Sequence, residues 1–159
     1  MWNTPDLCDD NPNDVRVLEP LFQNFGGKPA FFGQVVTVKC FEDNSRVKEL
    51  AGTDGDGKVM VVDGGASLAK ALIGDQIALD AVNHGWQGVV INGCARDIHE
   101  LQRMPIGVRA LASIPVKTEK KGLGDVDVPV TFAGQTIEPG MYLYADETGI
   151  VVSKRPLFG

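Results

Sequence analysis

Two short, wholly apolar runs stand out along the chain, Val59-Met60-Val61-Val62 and Gly88-Val89-Val90-Ile91. Runs of that length, rich in β-branched residues and bounded by turn residues, predict strands buried on both faces, as in a parallel sheet. Between them a helix is expected to open at Asp75, with Ile77, Ala78, Ala81 and Val82 on one face and Gly85 closing it. Strand, helix and strand in this order predict parallel strands joined by a right-handed crossover. A further helical stretch is expected after the turn at Asp63-Gly64-Gly65, interrupted at Gly74.

Upstream, Phe32 to Cys40 alternates and is rich in β-branched residues, which predicts a strand. Asn44 is expected to cap a short helix carrying Val47, Leu50 and Ala51 on one face, and Asn24 to Gly27 reads as a loop. Thr4-Pro5-Asp6 reads as a helix start with Thr4 as the cap. Downstream, a short helix ends at Leu101 to Met104, and Val108 to Ala112 is a further strand. From Asp125 the pattern changes to short strands at Val126–Phe132, Thr136–Ile137, Tyr142–Ala145 and Gly149–Ser153, joined by turns. The fold class expected is α/β, with a parallel βαβ first half and a β-rich second half.

A length of 159 residues suits one domain, expected to span residues 1–159. The 15 basic residues against 21 acidic ones leave a net charge of −6. So acidic a chain is a poor candidate for direct nucleic-acid binding, where affinity comes from Lys and Arg displacing counterions. No apolar run approaches the ~20 residues that span a bilayer, and the start lacks a basic segment followed by an apolar one. A cytoplasmic protein without membrane contact is expected. Cys8, Cys40 and Cys94 form no Cys-x-x-Cys pair, and their odd number argues against a disulfide framework.

The sharpest chemical feature is Asn92-Gly93-Cys94-Ala95-Arg96-Asp97, which begins where a buried strand is expected to end. Carboxyl ends of parallel strands are where ligands sit in α/β sheets. Arg96 offers a planar two-donor clamp for a carboxylate, and Asp97 a hard oxygen for a divalent cation. Taken alone, the pair also reads as a helix-start charge with a surface ion pair. A second feature is Gly74-Asp75-Gln76-Ile77, where a glycine before a helix start leaves backbone amides facing outward, a setting that favours anions. Asp75 by itself also fits a plain helix cap. Adjacent parallel strands would bring Asp75 and Arg96 to one crevice.

Other candidates are weaker. Asp63-Gly64-Gly65-Ala66-Ser67 fits neither the dinucleotide fingerprint nor the P-loop, and reads as a tight turn. His84 and His99 have no zinc-site spacing. Cys94 is expected to be a small buried residue despite its nearness to Arg96, and Lys117, Lys120 and Lys121 a solvated basic loop.

The order of segments resembles the family of the regulator of ribonuclease E activity A (RraA), which includes 4-hydroxy-4-methyl-2-oxoglutarate aldolases. The resemblance is carried by TPDLCD (4–9), NFGG (24–27), FGQVVTVKCFEDNS (32–45), GKVMVVDGG (57–65) and ALIGDQIA (71–78). It continues through GWQGVVINGCARD (85–97), KTEKKGLGDVDVPVTF (117–132) and YLYADETGIVVS (142–153). It implies a β/β/α swivelling domain of the phosphohistidine-domain type, assembled as a homotrimer, with pairing of trimers into hexamers left open. Lyases of the family share an Asp, then Arg-Asp, then an acid, and Asp75, Arg96, Asp97 and Glu100 match that spacing. The ribonuclease-regulating branch typically loses the Asp after the Arg, and this chain keeps it. Dedicated pathway aldolases carry a longer C-terminal segment with an acid that reaches a neighbouring subunit's site, whereas this chain ends at Gly159.

The resemblance further implies that Asp97 binds Mg²⁺ or Mn²⁺, largely through waters and substrate. By the same transfer, Arg96 and the backbone at Gly74, Gln76 and Ile77 hold a pyruvyl group, and Asp75 positions a water. The function expected is a metal-dependent lyase that cleaves 4-hydroxy-4-methyl-2-oxoglutarate to pyruvate and decarboxylates oxaloacetate. The alternative is a non-catalytic regulator that binds and inhibits ribonuclease E. An older reading of the family, as a menaquinone-synthesis methyltransferase, finds no glycine-rich S-adenosylmethionine loop after the first strand.

Overall fold

A computed structural model describes residues 1–158. The first half runs α1 (Thr4–Asp10), β1 (Arg16–Val17), β2 (Gln23–Asn24), β3 (Phe31–Lys39), α2 (Ser45–Ala51), β4 (Lys58–Asp63), β5 (Ala71–Ile73), α3 (Asp75–Asn83) and β6 (Gly88–Ala95). It continues with α4 (Ile98–Leu101), β7 (Gly107–Ser113), β8 (Asp125–Val126), β9 (Val130–Phe132), β10 (Gln135–Ile137), β11 (Tyr142–Ala145) and β12 (Ile150–Ser153). The main sheet has the order β1-β12-β11-β3-β4-β6-β7-β2. Its centre, β3-β4-β6-β7, is parallel, and β11, β12 and β2 flank it antiparallel.

The apolar runs are buried on both faces because the sheet is covered on both. Met60 and Val62 of β4 and Val89 and Ile91 of β6 pack under α2 and α3 with Val47, Ala78 and Ala81. Val59, Val61 and Val90 point the other way, onto Val130, Phe132 and Ile137 of the β9–β10 hairpin. Alternation along each strand thus feeds two cores, giving the expected β/β/α layering. Each fully buried Val or Ile contributes about 1.5–3 kcal/mol, so the fold rests on these central strands.

The expected helix between Gly65 and Gly74 is absent. Residues Ala71-Leu72-Ile73 are all buried and form β5, parallel to β6 at Cys94 and Ala95. A segment with no polar face has no side to turn to water, so a sheet edge suits it better than an amphipathic helix. Correspondingly, β6 does not end at Ile91. It shifts register between Ile91 and Cys94 and leaves its partner β4, last paired at Asn92, to pair with β5.

Two caps also differ in detail from expectation. Asn3, not Thr4, caps α1 by accepting the Asp6 amide at 2.8 Å, while the Thr4 hydroxyl donates to Asp146 at 2.7 Å. At α2 Asn44 is the cap residue, as expected, but its side chain makes no cap hydrogen bond: the Ser45 amide donates to Asp43 at 2.9 Å, which leaves the Asn44 side chain for other partners. The expected strand 126–132 is broken at Asp127, whose φ of 61° is left-handed. Among the described residues no helix is long and apolar enough to cross a membrane.

Candidate functional site

At the carboxyl end of β6, Arg96 is fixed by its amide, which donates to the Ile73 carbonyl of β5 at 2.9 Å. Asp97 then turns the chain with a left-handed φ of 59°, a conformation that Asp tolerates better than most residues. This turn brings the Asp97 carboxylate to the start of α3, where its Oδ2 accepts the Asp75 amide at 3.0 Å. The two segments singled out in the sequence therefore meet directly. Their approach is close enough that a Cβ on Gly74 would lie 2.6 Å from Asp97 Oδ2.

Gly74 is extended and supplies no side-chain cap to α3. The Gln76 and Ile77 amides lie in the first turn, where no carbonyl four residues back belongs to the helix. A helix end of this kind carries roughly half a positive charge and draws anions. Beside it, Arg96 Nε lies 3.9 Å from Asp97 Oδ2, too far for a hydrogen bond. Among the described residues the Arg96 side chain donates no hydrogen bond, so its guanidinium fork is available to a ligand.

Gly74, Asp75, Gln76, Ile77, Arg96 and Asp97 all line one cavity of about 120 Å³. That is below the ~300–1,000 Å³ typical of sites for drug-sized ligands and suits a small acid. Asn44, Lys117 and Lys120 line it as well. Three cationic side chains against two carboxylates make this spot anion-seeking within an acidic protein. Sequence reading placed Lys117 and Lys120 in a solvated loop. Both are exposed, yet they border the cavity, because Ala71 of β5 bridges to Lys117 and its amide donates to the Val116 carbonyl at 2.7 Å.

The remaining candidates lie outside this cavity. Glu100 is exposed on α4 and does not line it. The Asp63-Gly64-Gly65 turn packs against Leu72 and Phe41. Cys94 is fully buried, and burial raises its thiol pKa, as suits a small core residue.

The wall bearing the lysines is held by a buried carboxylate that sequence reading missed. Asp43 accepts the Ser45 amide and hydroxyl at 2.9 and 2.6 Å, and the Lys121 and Leu123 amides at 2.8 and 3.2 Å. Burial alone would raise its pKa, but these four hydrogen bonds outweigh it and lower the value from 3.8 to about 2. A carboxyl depressed in this way stabilises the fold above its unfolded pKa and loses that contribution as pH falls through the folded one. Asp43→Asn is expected to cost about 2 kcal/mol at pH 7, as donors lose a charged acceptor. In urea titrations its gap to wild type should narrow as pH falls from about 4 toward about 2. A gap independent of pH would contradict this assignment.

The family model described as RraA-like, Aldolase/RraA, matches residues 4–152. The chain belongs to the RraA-like family. A relative from Stutzerimonas stutzeri (strain A1501), named "Putative 4-hydroxy-4-methyl-2-oxoglutarate aldolase", is 58% identical over 97% of this chain and 95% of its own length. One from Pseudomonas putida (strain W619), with the same name, is 60% identical over 97% and 94%. Two solved structures superpose with a TM-score of 0.96. One, from Geobacillus kaustophilus HTA426, is described as an S-adenosylmethionine:2-dimethylmenaquinone methyltransferase and is 46% identical, covering 98% of this chain and 97% of that one. The other, the RNA-processing inhibitor RraA from Thermus thermophilis, is 43% identical, covering 100% and 96%.

Proposed function

We propose that the protein is a divalent-metal-dependent lyase that cleaves 4-hydroxy-4-methyl-2-oxoglutarate to two molecules of pyruvate and decarboxylates oxaloacetate. The carrying observation is the contact between Asp97 and the Asp75 amide beside Arg96, whose guanidinium makes only a 3.9 Å ion pair with Asp97. It joins a helix end, a guanidinium and two carboxylates around one small cavity. The aldolase names of the close relatives support the same reaction.

The residues fit a magnesium-like cation. Asp97 offers a hard oxygen, and among the described residues no cluster of three or more His, Cys, Asp or Glu surrounds it. An ion held there would keep waters and substrate oxygens as most of its ligands, the habit of Mg²⁺. When bound, such an ion supplies Lewis-acid stabilisation of negative charge developing on substrate oxygens.

The protein's own groups do the rest. Arg96 and the first-turn amides of α3 hold the carboxylate and 2-oxo group of the substrate, and add fixed positive charge where the enolate forms. Lys117 and Lys120 face the anionic group at the far end. Asp75 holds a water that takes the 4-hydroxyl proton. The C3–C4 bond then breaks, releasing one pyruvate and leaving the enolate of the second, which is protonated at C3. In oxaloacetate the same bond breaks with loss of CO₂, and no hydroxyl proton has to be removed.

Chelated protein is expected to lose oxaloacetate decarboxylation, and added Mg²⁺ or Mn²⁺ to restore it, followed as pyruvate release. An undiminished rate after chelation overturns the metal-dependent reading. The likeness to the RNA-processing inhibitor from Thermus thermophilis favours a second reading, a regulator that binds ribonuclease E. A tight, metal-independent complex with that ribonuclease, without turnover of either acid, would select it.

A further inference from the structure

The segment from Val116 to Gly124 carries both cavity lysines, yet it has almost no regular structure of its own. At its start it is held by the Ala71 bridge to Lys117, and beyond that by four consecutive residues, Asp43-Asn44-Ser45-Arg46, at the start of α2. Asp43 takes the Lys121 and Leu123 amides. The Ser45 hydroxyl accepts the Gly122 amide at 3.0 Å, and Arg46 donates to the Gly122 and Gly124 carbonyls. Asn44 bridges the two walls: its Nδ2 donates to the Leu72 carbonyl of β5 at 3.0 Å, and its Oδ1 accepts the Thr118 hydroxyl at 2.7 Å. Leu72 lies two residues before Gly74, and Thr118 sits between the lysines. Asp43, Asn44 and Thr118 are all buried.

We propose that Asp43 and Asn44 are positioning residues that set the spacing between the Lys117–Lys120 wall and the Gly74–Asp97 wall, and thereby the preference for ligands with a second anionic group. The physical reason is the length of the lysine side chain. A flexible four-carbon stem is a poor selector unless its backbone is fixed, and a displacement of about 1 Å at a binding wall is enough to cost a large factor. Asn44 ties Thr118 to Leu72, so the lysine wall cannot drift without disturbing the strand that leads into the α3 amides. The identity of the ligand rests on the lyase reading; the two-wall geometry does not.

The test compares pyruvate, with one carboxylate, and 2-oxoglutarate, with two, by calorimetry in saturating Mg²⁺. Wild type should favour 2-oxoglutarate. Asn44→Ala and the near-isosteric Thr118→Val should each weaken 2-oxoglutarate about tenfold while shifting pyruvate less than about twofold, a coupling of the size seen between interacting residues. In a background carrying Lys117→Ala and Lys120→Ala, neither substitution should have a further effect on 2-oxoglutarate. Equal weakening of both ligands, persistence of the loss without the lysines, or no preference in wild type would each overturn the proposal. If Asn44→Ala does not fold, Thr118→Val alone decides, since it removes one hydroxyl and keeps the side-chain volume. Binding needs no turnover, so absent lyase activity with intact ligand preference would overturn the reaction and leave the positioning role standing.

Discussion

Asp97→Ala is expected to lower kcat/KM for both oxaloacetate and 4-hydroxy-4-methyl-2-oxoglutarate by about a thousandfold or more, with the protein still folded. Lewis-acid stabilisation of a developing oxyanion is worth several kcal/mol, and ~4 kcal/mol corresponds to roughly three decades of rate. Asp97 is the cation's anchor in this reading, so removing it removes that contribution as a whole. The structural cost is small by comparison. The carboxylate is 34% exposed, and the Asp75 amide it accepts can turn to water, a loss of about 1 kcal/mol. Asp97→Asn separates the two roles. It keeps an oxygen for the Asp75 amide but loses the charge, so Mn²⁺ binding followed by electron paramagnetic resonance should fall while the melting temperature holds. Wild-type turnover in the alanine variant would remove Asp97 from the chemistry.

The second large effect is selective. Asp75→Asn should reduce aldol cleavage by about a hundredfold while leaving oxaloacetate decarboxylation within a few-fold. Positioned proton transfer typically contributes 10²–10⁴-fold, and only the aldol cleavage has a hydroxyl proton to remove. The substitution is mild for the helix, because Asn is well suited to a helix start and the favourable charge there is worth only about 0.3–1 kcal/mol. Both activities can be read as pyruvate formed in the same coupled assay. Equal losses in the two reactions would mean that Asp75 shapes the helix end without handling a proton.

The two effects rest on residues of different legibility from those of the lysine wall. Asp75, Arg96 and Asp97 were visible because each sits at an element boundary set by local pattern: an apolar strand run, a glycine, a helix start. Lys117 and Lys120 sat in a polar stretch with no periodicity and gave no local sign of facing a cavity. The contacts that hold them, such as Thr118 to Asn44 across 74 positions, leave no mark at the spacings by which helices and strands are recognised. One signal was present in retrospect: Asp43-Asn44-Ser45 places three short polar side chains at the start of a helix that needs only one cap.

The caps illustrate the same division. Asn44 and Thr4 have the right chemistry for helix starts; Asn44 is the cap residue of α2, and Thr4 lies one residue past that of α1. Their side chains are drawn instead to Thr118 and Asp146, distant in sequence and adjacent in space, while Asp43 and Asn3 take over the capping. A local preference worth about 1 kcal/mol yields readily to a buried hydrogen bond.

By itself the amino-acid sequence determined the central parallel strands, the helix at Asp75 and the β-rich second half, because these follow from hydrophobic period and turn chemistry within about ten residues. Tertiary structure alone decided that Ala71–Ile73 is a strand, that β6 continues past Asn92, that Lys117, Lys120 and Asn44 line the site, and that Asp43 holds the segment bearing the lysines. Those outcomes depend on which segments pair across the sheet. Pairing energy is shared between distant partners, so neither partner's local sequence carries it.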